Sequence, residues 1–174
     1  MAQTVPVPAI GVVRTSRTSL EDTPIQAALN RREVGTIELD PRYQDGLDGL
    51  ERFGYAWLIT WLHDPDKLAD SPVSLRQTPF LLRGTGRQIG IFATRGPRRI
   101  NPIGLSLIEI VGVTGRIVEF AGVDVIDGTP VIDLKPYVQR FDRPPGDPPC
   151  GWFDDLTIAE GVTPAELGEP SGSG

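Results

Sequence analysis

One cysteine (Cys150), one histidine (His63) and two lysines stand among 174 residues. A lone cysteine excludes an internal disulfide and any cysteine-cluster metal site. A lone histidine leaves serine-hydrolase chemistry a single possible base, and no serine sits in a Gly-x-Ser-x-Gly elbow. No Gly-x-x-x-x-Gly-Lys-Ser/Thr phosphate loop occurs. Gly84-x-Gly86-x-x-x-Gly90 has the wrong spacing for a dinucleotide fingerprint and precedes a strand instead of joining strand to helix. No apolar run approaches the roughly 20 residues of a membrane span. The start, Met1-Ala2-Gln3-Thr4-Val5-Pro6, has neither the basic nor the apolar region of a secretory signal. These absences predict a cytoplasmic protein without membrane or metal.

What is abundant is glycine, proline and arginine. Gly 20 and Pro 17 make about a fifth of the chain, which favours turn-rich β structure over a helical bundle. The net charge is −6, yet it is unevenly spread. From Arg76 to Arg116 there are seven arginines against one acid, Glu109, whereas residues 144–174 hold six acids and no Lys or Arg. A basic centre in an acidic protein fits an anion-facing site as well as it fits a solvated arginine face.

Periodicity predicts strands at Ala9–Arg14, Val34–Leu39, Phe53–Leu62, Gln88–Thr94, Ile103–Val113, Arg116–Phe120, Val123–Ile126 and Pro130–Leu134, the last two flanking an Asp127-Gly128 turn. Helices are few. Pro24 to Asn30 is one candidate, with Thr23 as cap, and Asp48 to Arg52 a second turn. The expected organisation is one domain over 1–143, followed by an acidic Pro/Gly-rich appendage, 144–174, ordered only where Trp152, Phe153 and Leu156 dock.

Three places carry candidate chemistry. His63-Asp64-Pro65-Asp66 offers potential ligands in sequence, but neighbouring side chains rarely converge on one ion, and a loop after a strand accounts for them equally. Arg95-Gly96-Pro97-Arg98-Arg99-Ile100-Asn101-Pro102 packs three arginines between apolar strands, a composition suited to anion contact. Asp124 interrupts an otherwise apolar stretch, which requires a partner for its carboxylate.

Five blocks then define a resemblance. They are Ile10–Arg14 (IGVVR), Asp45–Phe53 (DGLDGLERF), Gly90–Arg95 (GIFATR), Asn101–Ser106 (NPIGLS) and Asp127–Tyr137 (DGTPVIDLKPY). In this order they are similar to the TsaA-like family, the tRNA methyltransferase O group of S-adenosylmethionine enzymes. The resemblance implies an all-β protein: a single closed β-barrel, not a Rossmann sheet, with few short helices and usually a homodimer. It also implies methylation of the exocyclic nitrogen of threonylcarbamoyl-modified adenosine beside the tRNA anticodon. Carried over by position, cofactor contacts fall on Gln26, Leu62, His63, Arg95, Asn101, Leu105, Gly122, Val123 and Asp124.

Arg76, Arg98 and Arg99, with Arg83 and Arg87, form an expected phosphate track. His63, Asp133 and Tyr137 are candidates to orient the nucleophile, with no catalytic base assigned. Two other readings stay open: the same cofactor chemistry on a small molecule, and a binding module that senses the cofactor without turnover.

Overall fold

In the computed structural model, residues 5–62 and 73–167 are described. Six strands close a barrel: β1 (Gly11–Arg14), β2 (Val34–Leu39), β3 (Tyr55–Trp61), β6 (Ile103–Thr114), β7 (Ile117–Ala121) and β8 (Pro130–Pro136). Their order around it is β1-β2-β7-β6-β3-β8, and every pairing is antiparallel. A two-stranded ribbon, β4 (Arg76–Gln77) with β5 (Ile89–Gly90), lies outside it.

Alternation explains the barrel. On β3 the buried residues are Ala56, Leu58 and Thr60; on β6 they are Gly104, Ser106 and Ile108. With Val13, Ile37, Val118, Phe120 and Val131 from the other strands they fill the interior, as a small barrel requires. Phe120 is the largest wholly buried side chain, and Gly35 opposite it makes room: a Cβ there would sit 2.9 Å from the Phe120 ring. Gly104 does the same for Thr60, whose hydroxyl a Cβ would meet head-on, with Leu62 only 2.8 Å away. Leu62 continues the β3–β6 ladder by donating its N–H to the Pro102 carbonyl at 2.6 Å.

Strand direction decides where a site can form. The connections 15–33, 62–102 and 122–129 all leave the same end of the barrel. The opposite end is closed by 40–54 and by the tight turn at Thr114-Gly115-Arg116, with Gly115 at φ +57°.

Two expected strands differ. Of Gln88–Thr94, only Ile89–Gly90 is a strand, and Ile91–Ala93 coil into a 3₁₀ turn that buries Ile91 and leaves Phe92 exposed. Val123–Ile126 is loop: Gly122 turns the chain at φ +101° and sends Val123 and Val125 into the barrel mouth. Between Pro24 and Asn30 only Ala27–Leu29 coil, and Gln26, not Thr23, stands at the cap position; the Thr23 hydroxyl instead donates to the Ser19 carbonyl. The turn expected at Asp48 to Arg52 is a 3₁₀ turn over Leu50–Arg52, entered through Gly49 at φ +86°. No helix among the described residues is long and apolar enough to cross a membrane.

Gly104→Ala should therefore lower stability by about 1–3 kcal/mol through overpacking, read as a fall of several degrees in thermal unfolding. A wild-type midpoint would show that Thr60 and Leu62 can move aside freely.

Candidate functional site

The three connections at the open end meet around a cavity of about 300 Å³. Its walls come from 20–26, Leu62, 79–81, 94–106 and 124–125, and also from Trp152, Phe153 and Pro164 of the tail.

Asp124 is the chemical centre. Its carboxylate accepts from the Ser106 hydroxyl at 2.7 and 2.9 Å and from the Ala27 N–H at 2.9 Å. Burial nevertheless dominates, pushing its pKa up from 3.8 to about 6, against the pull of these hydrogen bonds and of the Arg95 charge. A partly buried carboxylate held this way can accept from a cation or from hydroxyl groups entering the cavity.

Arg95 supplies the opposite sign. It is exposed, its Nη2 lies 3.4 Å from the Leu105 carbonyl, and no carboxylate among the described residues pairs with it as a salt bridge. Its fork is suited to binding a carboxylate bidentately. Leu62, Ile103 and Leu105 give apolar wall to the same cavity.

The loop carrying Gln26 is fixed from behind. Glu33 receives Arg17 bidentately, at 2.9 Å from Nε and 2.6 Å from Nη2, as well as Asn30 and Ser16. These bonds hold its carboxyl down at about 2. Asn30 also donates to the Val123 carbonyl, and Gly122 N–H donates to the Glu33 carbonyl, so the 15–33 and 122–129 connections are stitched together.

Gln26, Leu62, Arg95, Leu105, Asp124 and Arg99 thus line one cavity. Gly122 and Val123 do not; they shape the backbone that presents Asp124. Asn101 is exposed beside the cavity, its carbonyl accepting from Ile103 N–H. Asp133 and Tyr137 lie on and just beyond β8, outside the cavity wall, with Asp133 paired to Lys135 at 2.7 Å and Tyr137 edge-on to Trp57. His63 lies outside the described residues.

The arginine track is reduced. Arg83 is buried, donating to the Pro164 carbonyl at 2.9 Å and lying over the Phe80 ring, so it cannot face phosphate. Arg99 clamps the carbonyls of Ile91 and Thr94, and Arg76 reaches the Gln88 carbonyl. Arg87 and Arg98 are exposed.

Sequence reasoning missed Ser106 as a partner of Asp124. The available signal was a hydroxyl at an inward-facing position of β6, between Gly104 and Ile108.

A closed antiparallel barrel whose open end brings an exposed arginine and a half-buried carboxylate to one cleft is a non-Rossmann domain with a candidate binding site at that end. The model of the tRNA-methyltransferase O N-terminal domain matches residues 12–143, and the chain belongs to that family.

A probable S-adenosyl-L-methionine-binding protein of Methanothermobacter thermautotrophicus is 41% identical over 133 residues, 76% of this chain and 90% of its own length. The human tRNA (adenine(37)-N6)-methyltransferase is 32% identical over 139 residues, 78% of this chain and 30% of that enzyme. The crystal structure of TrmO from Pseudomonas aeruginosa superposes with a TM-score of 0.69 at 32% identity, covering 86% of this chain and 62% of that one. The chain therefore spans under two thirds of the crystallised protein and under a third of the human enzyme.

The pH dependence of stability tests the Asp124 environment. Its folded pKa lies above its unfolded value, so its protonation stabilises the fold below about pH 4, and that contribution is lost as pH rises through about 6. The stability of the wild type relative to Asp124→Asn should fall between pH 4 and pH 6 and be level above, as measured by urea unfolding. A difference that does not change with pH would place the carboxylate in ordinary solvent.

Proposed function

We propose that this protein transfers a methyl group from S-adenosylmethionine to the exocyclic nitrogen of adenosine beside the tRNA anticodon, in its threonylcarbamoyl-modified form. The observation that carries the reading is the cavity pairing Arg95 with Asp124 inside a family whose relatives include tRNA (adenine(37)-N6)-methyltransferases.

The residues fit the cofactor. Arg95 would hold the amino-acid carboxylate, Asp124 would accept from the ammonium or the ribose hydroxyls, and Leu62 and Leu105 would flank the adenosyl group. Gln26, at the cap position of the Ala27–Leu29 turn, adds an amide at the rim. When bound, the cofactor supplies an electrophilic methyl on a sulfonium centre. The chain's work is placement: acceptor nitrogen and methyl carbon must lie in line, and fixing that geometry supplies most of the rate gain. The bound cofactor would give up its methyl and keep the carbon–sulfur electron pair on its sulfur as the leaving group, and the acceptor nitrogen would release its proton to solvent. No side chain of the described cavity wall needs to be a strong base for that.

The reading extends to a cytoplasmic homodimer. Trp61 and Ile103, opposite each other on β3 and β6, give an exposed apolar face at the cavity rim; Phe92, 81% exposed, lies on the segment leading into β6. A second copy would cover that face.

The test is transfer from labelled S-adenosylmethionine to bulk tRNA from a strain lacking its own enzyme. Label should enter tRNA bearing threonylcarbamoyl-adenosine. Arg95→Ala should weaken cofactor binding by roughly 10- to 100-fold, the equivalent of one charge-assisted pair, and abolish labelling at limiting cofactor. Normal cofactor binding with no labelled tRNA would move the acceptor to a small molecule.

A further inference from the structure

Residues 144–167 lie beyond the family-domain match, which ends at 143, yet they complete the cavity. β8 ends at the closed end of the barrel, and the chain that follows it returns to the open end. It is anchored there at five points. Trp152 Nε1 donates to the Ala93 carbonyl at 2.9 Å, and Arg83 donates to the Pro164 carbonyl at 2.9 Å. Gly161 N–H donates to Leu29 at 2.6 Å, Ala165 N–H to Glu21 at 3.0 Å, and Ile25 N–H to the Val162 carbonyl at 3.1 Å. Val162 and Pro164 are buried beneath. Every anchor lands on a segment that lines or borders the cavity.

Trp152 and Phe153 are stacked, centroids 3.8 Å apart at 24°, half-buried, and both face the cavity. The indole N–H is already satisfied by Ala93, so the ring plane is fixed and its polar edge is turned away from any ligand. The tail is acidic, with Asp147, Asp154, Asp155, Glu160 and Glu166 and no cation, so it is a poor surface for phosphate. A pinned aromatic pair without cations is suited to a neutral planar ring, where base-on-aromatic stacking supplies the attraction.

Resting on the methyl-transfer reading above, we propose that the Trp152–Phe153 pair is the platform on which the acceptor's purine stacks, placing its exocyclic nitrogen at the cavity. The candidate cofactor residues described, Gln26, Leu62, Arg95, Leu105 and Asp124, all lie within 12–143. The tail wall is therefore added to a domain that already holds the cofactor set, and its contribution is to the second ligand.

The test uses the full chain saturated with S-adenosylhomocysteine and two probes: threonylcarbamoyladenosine as the free nucleoside, and an anticodon stem-loop RNA carrying the same base. Trp152→Leu keeps apolar bulk and removes the stacking surface; Phe153→Leu leaves the anchored indole in place and removes its neighbour. Trp152→Leu should weaken binding of both probes about tenfold, Trp152→Phe should recover most of it, and cofactor affinity measured by calorimetry should not move. Phe153→Leu should weaken both probes less than Trp152→Leu.

Nucleoside binding that depends on Trp152, without any RNA binding, would keep the platform and remove the tRNA reading. Methylation of tRNA with probe affinities indifferent to Trp152→Leu would keep the tRNA reading and overturn the platform. A loss of cofactor affinity equal to the loss of probe affinity would likewise overturn it, by giving the pair to the cofactor.

Discussion

The carboxylate of Asp124 is the point on which the open end of the barrel depends. It joins three segments far apart in sequence: the loop at Ala27, strand β6 at Ser106, and its own connection between β7 and β8. Burying a charge there is unfavourable, as the rise of its pKa to about 6 shows. The hydrogen bonds from Ser106 and Ala27 offset part of that, and the charge of Arg95 a smaller part. A site that keeps a carboxylate partly dehydrated is also one where an arriving cation gains most from meeting it, since the local dielectric is low.

The barrel makes that arrangement possible by sending its long connections to one end. Asp124 is held from both a loop and a strand, by the Ala27 N–H and the Ser106 hydroxyl of β6. Here Arg17, Asn30 and Ser16 converge on Glu33, and the 15–33 segment is thereby locked to 122–129 before any ligand arrives. The rigid part is the pairing of connections, and the functional side chains project from it.

Much of this was legible in the sequence. Apolar patterning marked six barrel strands with boundaries off by a few residues, and the family resemblance carried Gln26, Leu62, Arg95, Leu105 and Asp124 onto positions that line one cavity. Gln88–Thr94 departs from the expected strand because its apolar residues do not share one face: Ile91 turns inward in a 3₁₀ turn while Phe92 turns to solvent. Val123–Ile126 reads as strand because Val123 and Val125 are buried, but they are buried by plugging a barrel mouth and not by pairing in a sheet. Trp152 and Phe153 were expected to dock, without any indication of where. The Trp152 partner, the Ala93 carbonyl, is 59 residues away in sequence and is brought to it only by the tertiary fold.

Charge shows the same limit more sharply. The run from Arg76 to Arg116 carries seven arginines, yet Arg83 is buried against the tail, and Arg99, Arg76 and Arg116 donate to backbone carbonyls of the protein itself. A guanidinium bonded to a carbonyl remains charged, but its fork is partly committed, and bidentate phosphate contact needs it open. The basic centre is therefore weaker as a phosphate track than its composition suggests.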